Sequence, residues 1–384
     1  MSDAGRSTII EQASPLASYH AHREAIGSAI ARVLERGRYI LGEEVERFEA
    51  ELAQFVGTAH AIGVASGTDA VELALRGCGI VPGDVVFTPA HTASATVAAI
   101  ERSGASPVLV DIDPATYAIA PQALDRAVGD VGSRSARRAV VAVHLYGGPA
   151  DMPGILEVAR RHDLIVVEDC AQAIGASLEG RRVGTFGRAA AFSFYPTKNL
   201  GALGDGGAVV TGDAAIAERV RRLREYGWRT RFVSEEPGIN SRLDELQAAV
   251  LRAKLPCLDA DNGARIERAH AYNSALAGGA IATPATHEGA AHVFHQYVIR
   301  TPLRDALRAF LAERRIKTGV HSPVPVHLQP AYRGRLGVHG ALPESEHAAR
   351  AVISLPMYPE LPMGDVRATA LAIREWENDA TGDA

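Results

Sequence analysis

Lys198 stands in the run Phe192-Ser193-Phe194-Tyr195-Pro196-Thr197-Lys198-Asn199-Leu200-Gly201, directly ahead of the glycine-dense stretch Ala202-Leu203-Gly204-Asp205-Gly206-Gly207, and upstream of both lies Val167-Glu168-Asp169-Cys170-Ala171-Gln172. A lysine amine condenses with an aldehyde, and a carboxylate set against a pyridine nitrogen keeps that ring protonated and electron-withdrawing. Together the segments predict a lysine that holds pyridoxal phosphate, with Asp169 as the partner of the ring nitrogen. A carboxylate about 4 Å from a pyridinium is worth about 4 kcal/mol at an effective dielectric near 20, or about three pKa units. The ordinary alternatives are a solvated surface lysine and a turn or cap carboxylate. The glycine run lets backbone approach a ligand closely, but it matches neither GxGxxG nor the P-loop GxxxxGK[ST].

Three further segments carry polar groups in suggestive places. The loop Ala65-Ser66-Gly67-Thr68-Asp69 sits between an expected strand and an expected helix, Ala70 to Arg76. Its free amides and the helix dipole favour a phosphate, whereas simple capping by Thr68 or Asp69 is the equal alternative. Ser193 offers a second phosphate hydroxyl. His91, in Thr88-Pro89-Ala90-His91-Thr92, follows a strand terminus where open α/β sheets bind ligands, and its ring is expected to stack on the cofactor. Arg229 and Arg231, in Arg224-Glu225-Tyr226-Gly227-Trp228-Arg229-Thr230-Arg231, suit a nucleotide diphosphate because arginine gives bidentate phosphate contacts. A solvated loop is the competing reading for them.

The elements that must position these residues follow from periodicity. Glu24 to Arg36 and Val45 to Phe55 have helical apolar spacing. Short apolar runs then alternate with helical stretches: Ala61–Val64, Val85–Thr88, Val108–Val110, Ala139–His144, Leu164–Val167, Ala190–Phe194 and Ala208–Thr211. That alternation predicts an α/β fold with a mainly parallel sheet covered on both faces. Arg242 to Lys254 reads as a helix that Pro256 interrupts. The expected organisation is a large cofactor-binding domain over 1–255 and a smaller α/β domain over 256–384. The smaller part carries helices at Ala264–Leu276 and Asp305–Arg314, a strand at Val293–Ile299 and a closing helix after Gly364.

The 384-residue chain has a net charge of -5, which disfavours a nucleic-acid-coating surface. Cys78, Cys170 and Cys257 lack CxxC or Cys/His metal spacing. The polar stretch Met1 to Gln12 and the lack of an apolar run of about 18 residues predict a cytoplasmic protein with no membrane partner.

These motifs, with Gly37-Arg38-Tyr39-Ile40-Leu41-Gly42, Gly238-Ile239-Asn240-Ser241-Arg242-Leu243-Asp244-Glu245 and Ser354-Leu355-Pro356-Met357-Tyr358-Pro359, span nearly the whole chain. The chain so resembles the DegT/DnrJ/StrS nucleotide-sugar aminotransferases. The resemblance implies the fold-type I aspartate aminotransferase architecture and a homodimer with shared active sites. It implies Lys198 as Schiff-base lysine and proton shuttle, Asp169 at the ring nitrogen and Gln172 beside the phenolic oxygen. Thr68, the Gly67 backbone and Ser193 are implied at the phosphate, with Asn240 reaching it across the subunit boundary. L-glutamate is the implied amino donor and a keto-6-deoxyhexose of a nucleotide sugar the acceptor. The stretches Trp228 to Asn240 and His321 to Pro330 look most like members that aminate dTDP-3-keto sugars, which adds His321 and His327 to the candidate substrate contacts. Ser322 departs from the tyrosine common there, so amination at carbon 4 stays as the alternative. Relatives that dehydrate sugars carry histidine where this chain has Lys198, and a regulatory protein that only binds the cofactor is the reading from another class.

Overall fold

The computed structural model describes residues 9–131, 136–338 and 340–382; the first eight residues of the polar start lie outside them. All seven expected strands form: His60–Val64, Val85–Pro89, Ser106–Val110, Arg138–Val143, Ile165–Asp169, Ala189–Ser193 and Gly207–Thr211. They join one sheet in the order 60–64, 207–211, 189–193, 165–169, 138–143, 85–89, 106–110, with the two-residue strand Gly337–Val338 added at the last edge. Gly207–Thr211 is antiparallel to both neighbours, and every other pairing is parallel. Parallel pairs need crossovers, most of which are helices here, so most strand residues are buried on both faces. That is why the strands read as continuous apolar runs rather than as alternation.

Because the strands run this way, Val64, Pro89, Val143, Asp169 and Ser193 all end at one edge of the sheet, where the antiparallel strand begins at Gly207. Loops leaving that edge are free to build a site. One of these ends is pinned from behind. Glu168 Oε1 accepts from Phe186 N and Gly187 N at 2.7 Å, and Oε2 accepts from Gly184 N at 2.8 Å. His144 Nδ1 accepts from Ala150 N at 2.9 Å, so its Nε2 carries the hydrogen and donates to Glu168 Oε2 at 3.0 Å. Successive strand residues face opposite ways, so this clamp on Glu168 fixes where Asp169 emerges. Cys170 lies within the same buried cluster, but the hydrogen bonds already occupy the oxygens and nitrogens that a metal ion would use.

Beyond the sheet the helix expected from Arg242 starts at Glu245 and ends at Lys254. Pro256 leaves one 3-10 turn, Leu255–Cys257, before the long helix Leu258–Leu276. A separate apolar cluster gathers Tyr272, Leu276, Tyr297, Ile299, Leu307, Leu311, Ile353 and Leu355, together with Ile10 from the start of the chain. The strand expected at Val293–Ile299 is confined to Tyr297–Arg300, paired with Val352–Leu355. Residues just before it have other hydrogen-bond partners: Val293 N donates to Gly147 O at 2.9 Å and Gln296 N to Tyr146 O at 3.1 Å. The tertiary contact with the 146–147 turn outcompetes a local ladder there. The closing helix spans Met363–Gly382, and no described helix is long and apolar enough to cross a membrane.

Candidate active site

At the carboxyl edge of the sheet lies a cavity of about 260 Å3 whose wall includes Ser66, Gly67, Thr68, Asp169, Gln172, Ser193 and Lys198. The sequence-predicted core of the site is therefore brought together from three separate segments of the chain. Asp169 is 6% exposed. Its Oδ2 accepts from Thr96 Oγ1 at 2.8 Å and its Oδ1 from Ala171 N at 3.1 Å, which fixes the plane of the carboxylate. Each oxygen retains lone-pair capacity for a cationic ring nitrogen.

The helix that follows the Ala65–Asp69 loop is capped ahead of that loop's Thr68 and Asp69. The helix begins at Gly67, three residues earlier than its apolar pattern indicates, and runs to Gly77. Ser66 is its cap, accepting from Asp69 N at 3.1 Å. Asp69 is tied instead to Ser241 Oγ at 2.7 Å and Arg102 Nη2 at 2.9 Å. Neither Thr68 nor Asp69 caps the helix, so the first-turn amides at Gly67 and Thr68 remain for an anion. Gly67 has to be glycine: an added Cβ would stand 2.6 Å from Ser193 Cβ and 2.9 Å from its Oγ. That closeness places the Ser193 hydroxyl beside the helix N-terminus.

Lys198 sits in a closed loop. Phe194 N donates to Gly206 O and Ala202 N to Phe194 O, both at 2.8 Å, and Lys198 N turns back to Tyr195 O at 2.8 Å. Gly201 is required because a Cβ there would meet Pro196 O at 2.4 Å. Burial pushes the Lys198 amine down to about 8, and the Asp169 carboxylate offsets only part of that effect. Gln172 is oriented from behind, its Oε1 accepting from Tyr146 N at 2.7 Å. Its amide NH2 is left as a donor, the group a phenolate oxygen needs.

Other expected residues lie elsewhere. His91 does not reach the cavity: it is fully buried, its Nε2 2.8 Å from the Tyr146 hydroxyl, and Thr92 and Ala93 form the wall in its place. Burial pushes its imidazole down to about 4. His327 is also remote from the cavity wall, with Nε2 3.3 Å from Glu346 Oε1. Arg229 pairs with Glu235 at 3.2 Å on an exposed hairpin, and Arg231 lies over the Phe232 ring at 4.9 Å. Asn240 is exposed, bridged to Glu225, and outside the wall of this one chain. His321 has Nδ1 2.9 Å from Ser354 Oγ; burial, then the charge of Lys198, pushes its imidazole down to about 4. Thr96 and Tyr146, which aim Asp169 and Gln172, were not singled out by the sequence, because their partners lie far away in the chain.

The residues fit pyridoxal phosphate: uncommitted amides and a hydroxyl at one end, a held carboxylate at the other, and an amine with a lowered pKa. Fold and site define a fold-type I aminotransferase that uses this cofactor. The DegT/DnrJ/EryC1/StrS aminotransferase family matches residues 20–374, and the chain belongs to it. Over 361 residues it is 50% identical to the dTDP-3-amino-3,4,6-trideoxy-alpha-D-glucose transaminase of Streptomyces venezuelae, covering 94% of each chain. It is 45% identical over 346 residues to a pleiotropic regulatory protein of Geobacillus stearothermophilus, covering 89% of this chain and 92% of that one. The crystal structure of S. venezuelae DesV in complex with a ketimine intermediate superposes with a TM-score of 0.92 at 48% identity, over 97% of this chain and 99% of that one. The protein is a sugar aminotransferase.

The lowered amine gives a direct check. In the cofactor-free protein, labelling of Lys198 by an amine-selective acylating reagent, read by peptide mass spectrometry, should rise through about pH 8 and then level off. Labelling that keeps rising to about pH 10 would mark an ordinary lysine.

Proposed function

We propose that the enzyme moves an amino group from L-glutamate to the carbon-3 ketone of a dTDP-linked 3-keto-6-deoxyhexose, with Lys198 and Asp169 as its catalytic residues. The observation that carries the chemistry is the convergence of Lys198, Asp169 and the Gly67 helix N-terminus on one cavity. Similarity to a carbon-3 transaminase over 94% of both chains supports the choice of sugar.

When bound, the cofactor supplies an aldehyde that takes up amines and a protonated ring that withdraws electrons from the carbon bearing them. The protein's part is positional and electrostatic. Asp169 holds the proton on the ring nitrogen, and Gln172 donates to the phenolic oxygen. Gly67, Thr68 and Ser193 hold the phosphate end. Once released, Lys198 Nζ is neutral above about pH 8 and so can accept the proton lost from the amino-bearing carbon. Burial, which lowers its pKa, is what allows a lysine to act as a base near neutral pH.

The same reading includes a homodimer. Tyr226, Trp228 and Phe232 pack in a row with 5.1 Å between successive ring centroids, Phe232 edge-on to Trp228, and Phe232 is 73% exposed. Asn240 lies at the base of this hairpin, bridged to Glu225. An exposed aromatic ridge beside an unabsorbed polar motif suits a second copy, whose Asn240 completes the phosphate site and whose Arg229 and Arg231 approach the diphosphate.

Two measurements test these assignments. Incubation with glutamate and, separately, dTDP-3-keto and dTDP-4-keto-6-deoxyhexoses should yield an amino sugar only from the former, with nitrogen located at carbon 3 by NMR. Amination only at carbon 4 would overturn the regiochemistry. By analytical ultracentrifugation the wild-type protein should sediment as a dimer, while Phe232→Asp should shift it toward monomer and lose cofactor. A fully active wild-type monomer would remove the shared-site reading.

A further inference from the structure

Asn199, next in sequence to Lys198, is 7% exposed and fully engaged. Its Nδ2 donates to Asn262 Oδ1 at 2.7 Å and to Val293 O at 3.1 Å. A backbone carbonyl only accepts, so this contact fixes the orientation of the amide, and Asn199 Oδ1 must be the atom 3.2 Å from His295 Nδ1. An amide oxygen also only accepts. His295 Nδ1 therefore carries a hydrogen.

The chain continues on the other side. Asn262 Nδ2 donates to Ile174 O at 3.1 Å, in the loop that follows Asp169 and Gln172. The segment bearing His295 is held from two directions. Val293 N and Gln296 N bind the 146–147 turn, and the buried Arg265 Nη1 donates to the carbonyls of Phe294 at 3.3 Å, His295 at 3.5 Å and Met357 at 3.2 Å. A rigid arm from the C-terminal part of the chain thus presents one imidazole N–H to the residue beside the lysine. His295 is 6% exposed. Burial and then the charges of Lys198, Arg265, His321 and His292 hold its imidazole well below its usual value, so it is neutral.

We propose that His295 is a positioning residue for Lys198, acting through its Nδ1–H bond to Asn199 within the chain Ile174–Asn262–Asn199–His295. The chain locks the lysine loop and the Asp169–Gln172 loop to one another, so the amine and the ring partner keep a fixed separation. A neutral imidazole does this without placing a second positive charge beside an amine that must itself take up a proton. Asparagine at position 295 preserves the donor, since its Nδ2 stands near the place of the imidazole Nδ1. Phenylalanine keeps the ring but leaves Asn199 Oδ1 buried and unpaired, which frees the loop.

The inference rests on Lys198 being the cofactor-bonding lysine, and the test separates the two. Holoenzyme is treated with borohydride, and the fraction of protein with cofactor fixed to Lys198 is read by peptide mass spectrometry, beside the single-turnover rate with glutamate and its dependence on glutamate concentration. Wild-type protein should show the adduct; its absence there would refute the lysine assignment itself. His295→Asn should match wild type within about threefold in rate, and His295→Phe should fall at least about tenfold in limiting rate, with the glutamate concentration for half-maximal rate changed less than about threefold. The adduct fraction of His295→Phe should drop although total bound cofactor stays near wild type. Asn199→Ala reads the same bond if His295→Phe proves insoluble. Wild-type adduct and rate in the variant that lacks the bond, or an equal loss in His295→Asn, would overturn the proposal.

Discussion

A buried carboxylate set at a strand end against the cavity sets the terms for the rest of this molecule. Asp169 ends a parallel strand whose residues are almost all buried, a place where an unpaired charge is costly. Thr96 and Ala171 each give it one hydrogen bond, and in the proposed role a cofactor ring nitrogen would give it an opposite charge. For that charge to arrive at the right point, the strand end must not move. Glu168, one residue back and facing the other way, is held by three backbone N–H groups and His144. The polar network behind the sheet thus exists to aim the carboxylate in front of it.

A ring held at its nitrogen would fix its other substituents, so the proposed role sets the remaining groups at given distances from Asp169. The proposed phosphate end would be met by a helix whose own cap, Ser66, has already satisfied one amide and left the first ones free. Absence of a side chain at Gly67 lets Ser193 close in. Between these ends Lys198 enters from a loop tied at Phe194, Gly206 and Ala202. Two effects act on its amine in opposite directions. Burial outweighs the attraction of Asp169, so the net shift is downward, as a lysine proposed to act as a base needs.

Much of this was legible in the sequence, and for identifiable reasons. Strands buried on both faces appear as unbroken apolar runs, so all seven were found within a residue or two. Lys198, Asp169, Gln172, Thr68 and Ser193 lie in short motifs whose loops fold locally at strand ends. Most of what escaped was set by partners distant in sequence. One miss was local: Ser66 caps the helix through Asp69 N at a Ser-x-x-Asp spacing, while the Asp69 carboxylate itself is held by Ser241, more than a hundred residues on. His91 has the right position at a strand end, yet Tyr146 binds its ring in the interior. The strand expected from Val293 starts late because the 146–147 turn takes the backbone hydrogen bonds of Val293 and Gln296. No local pattern carries the partners of His91, Val293 and Gln296.

The most direct test of the central claim is the protonation state of the cofactor's ring nitrogen, read by NMR with pyridoxal phosphate isotope-labelled at that atom and bound to the protein. Wild-type protein should hold the ring nitrogen protonated at neutral and mildly alkaline pH, and Asp169→Asn should lose that proton. An unprotonated ring nitrogen in the wild type at neutral pH would contradict it.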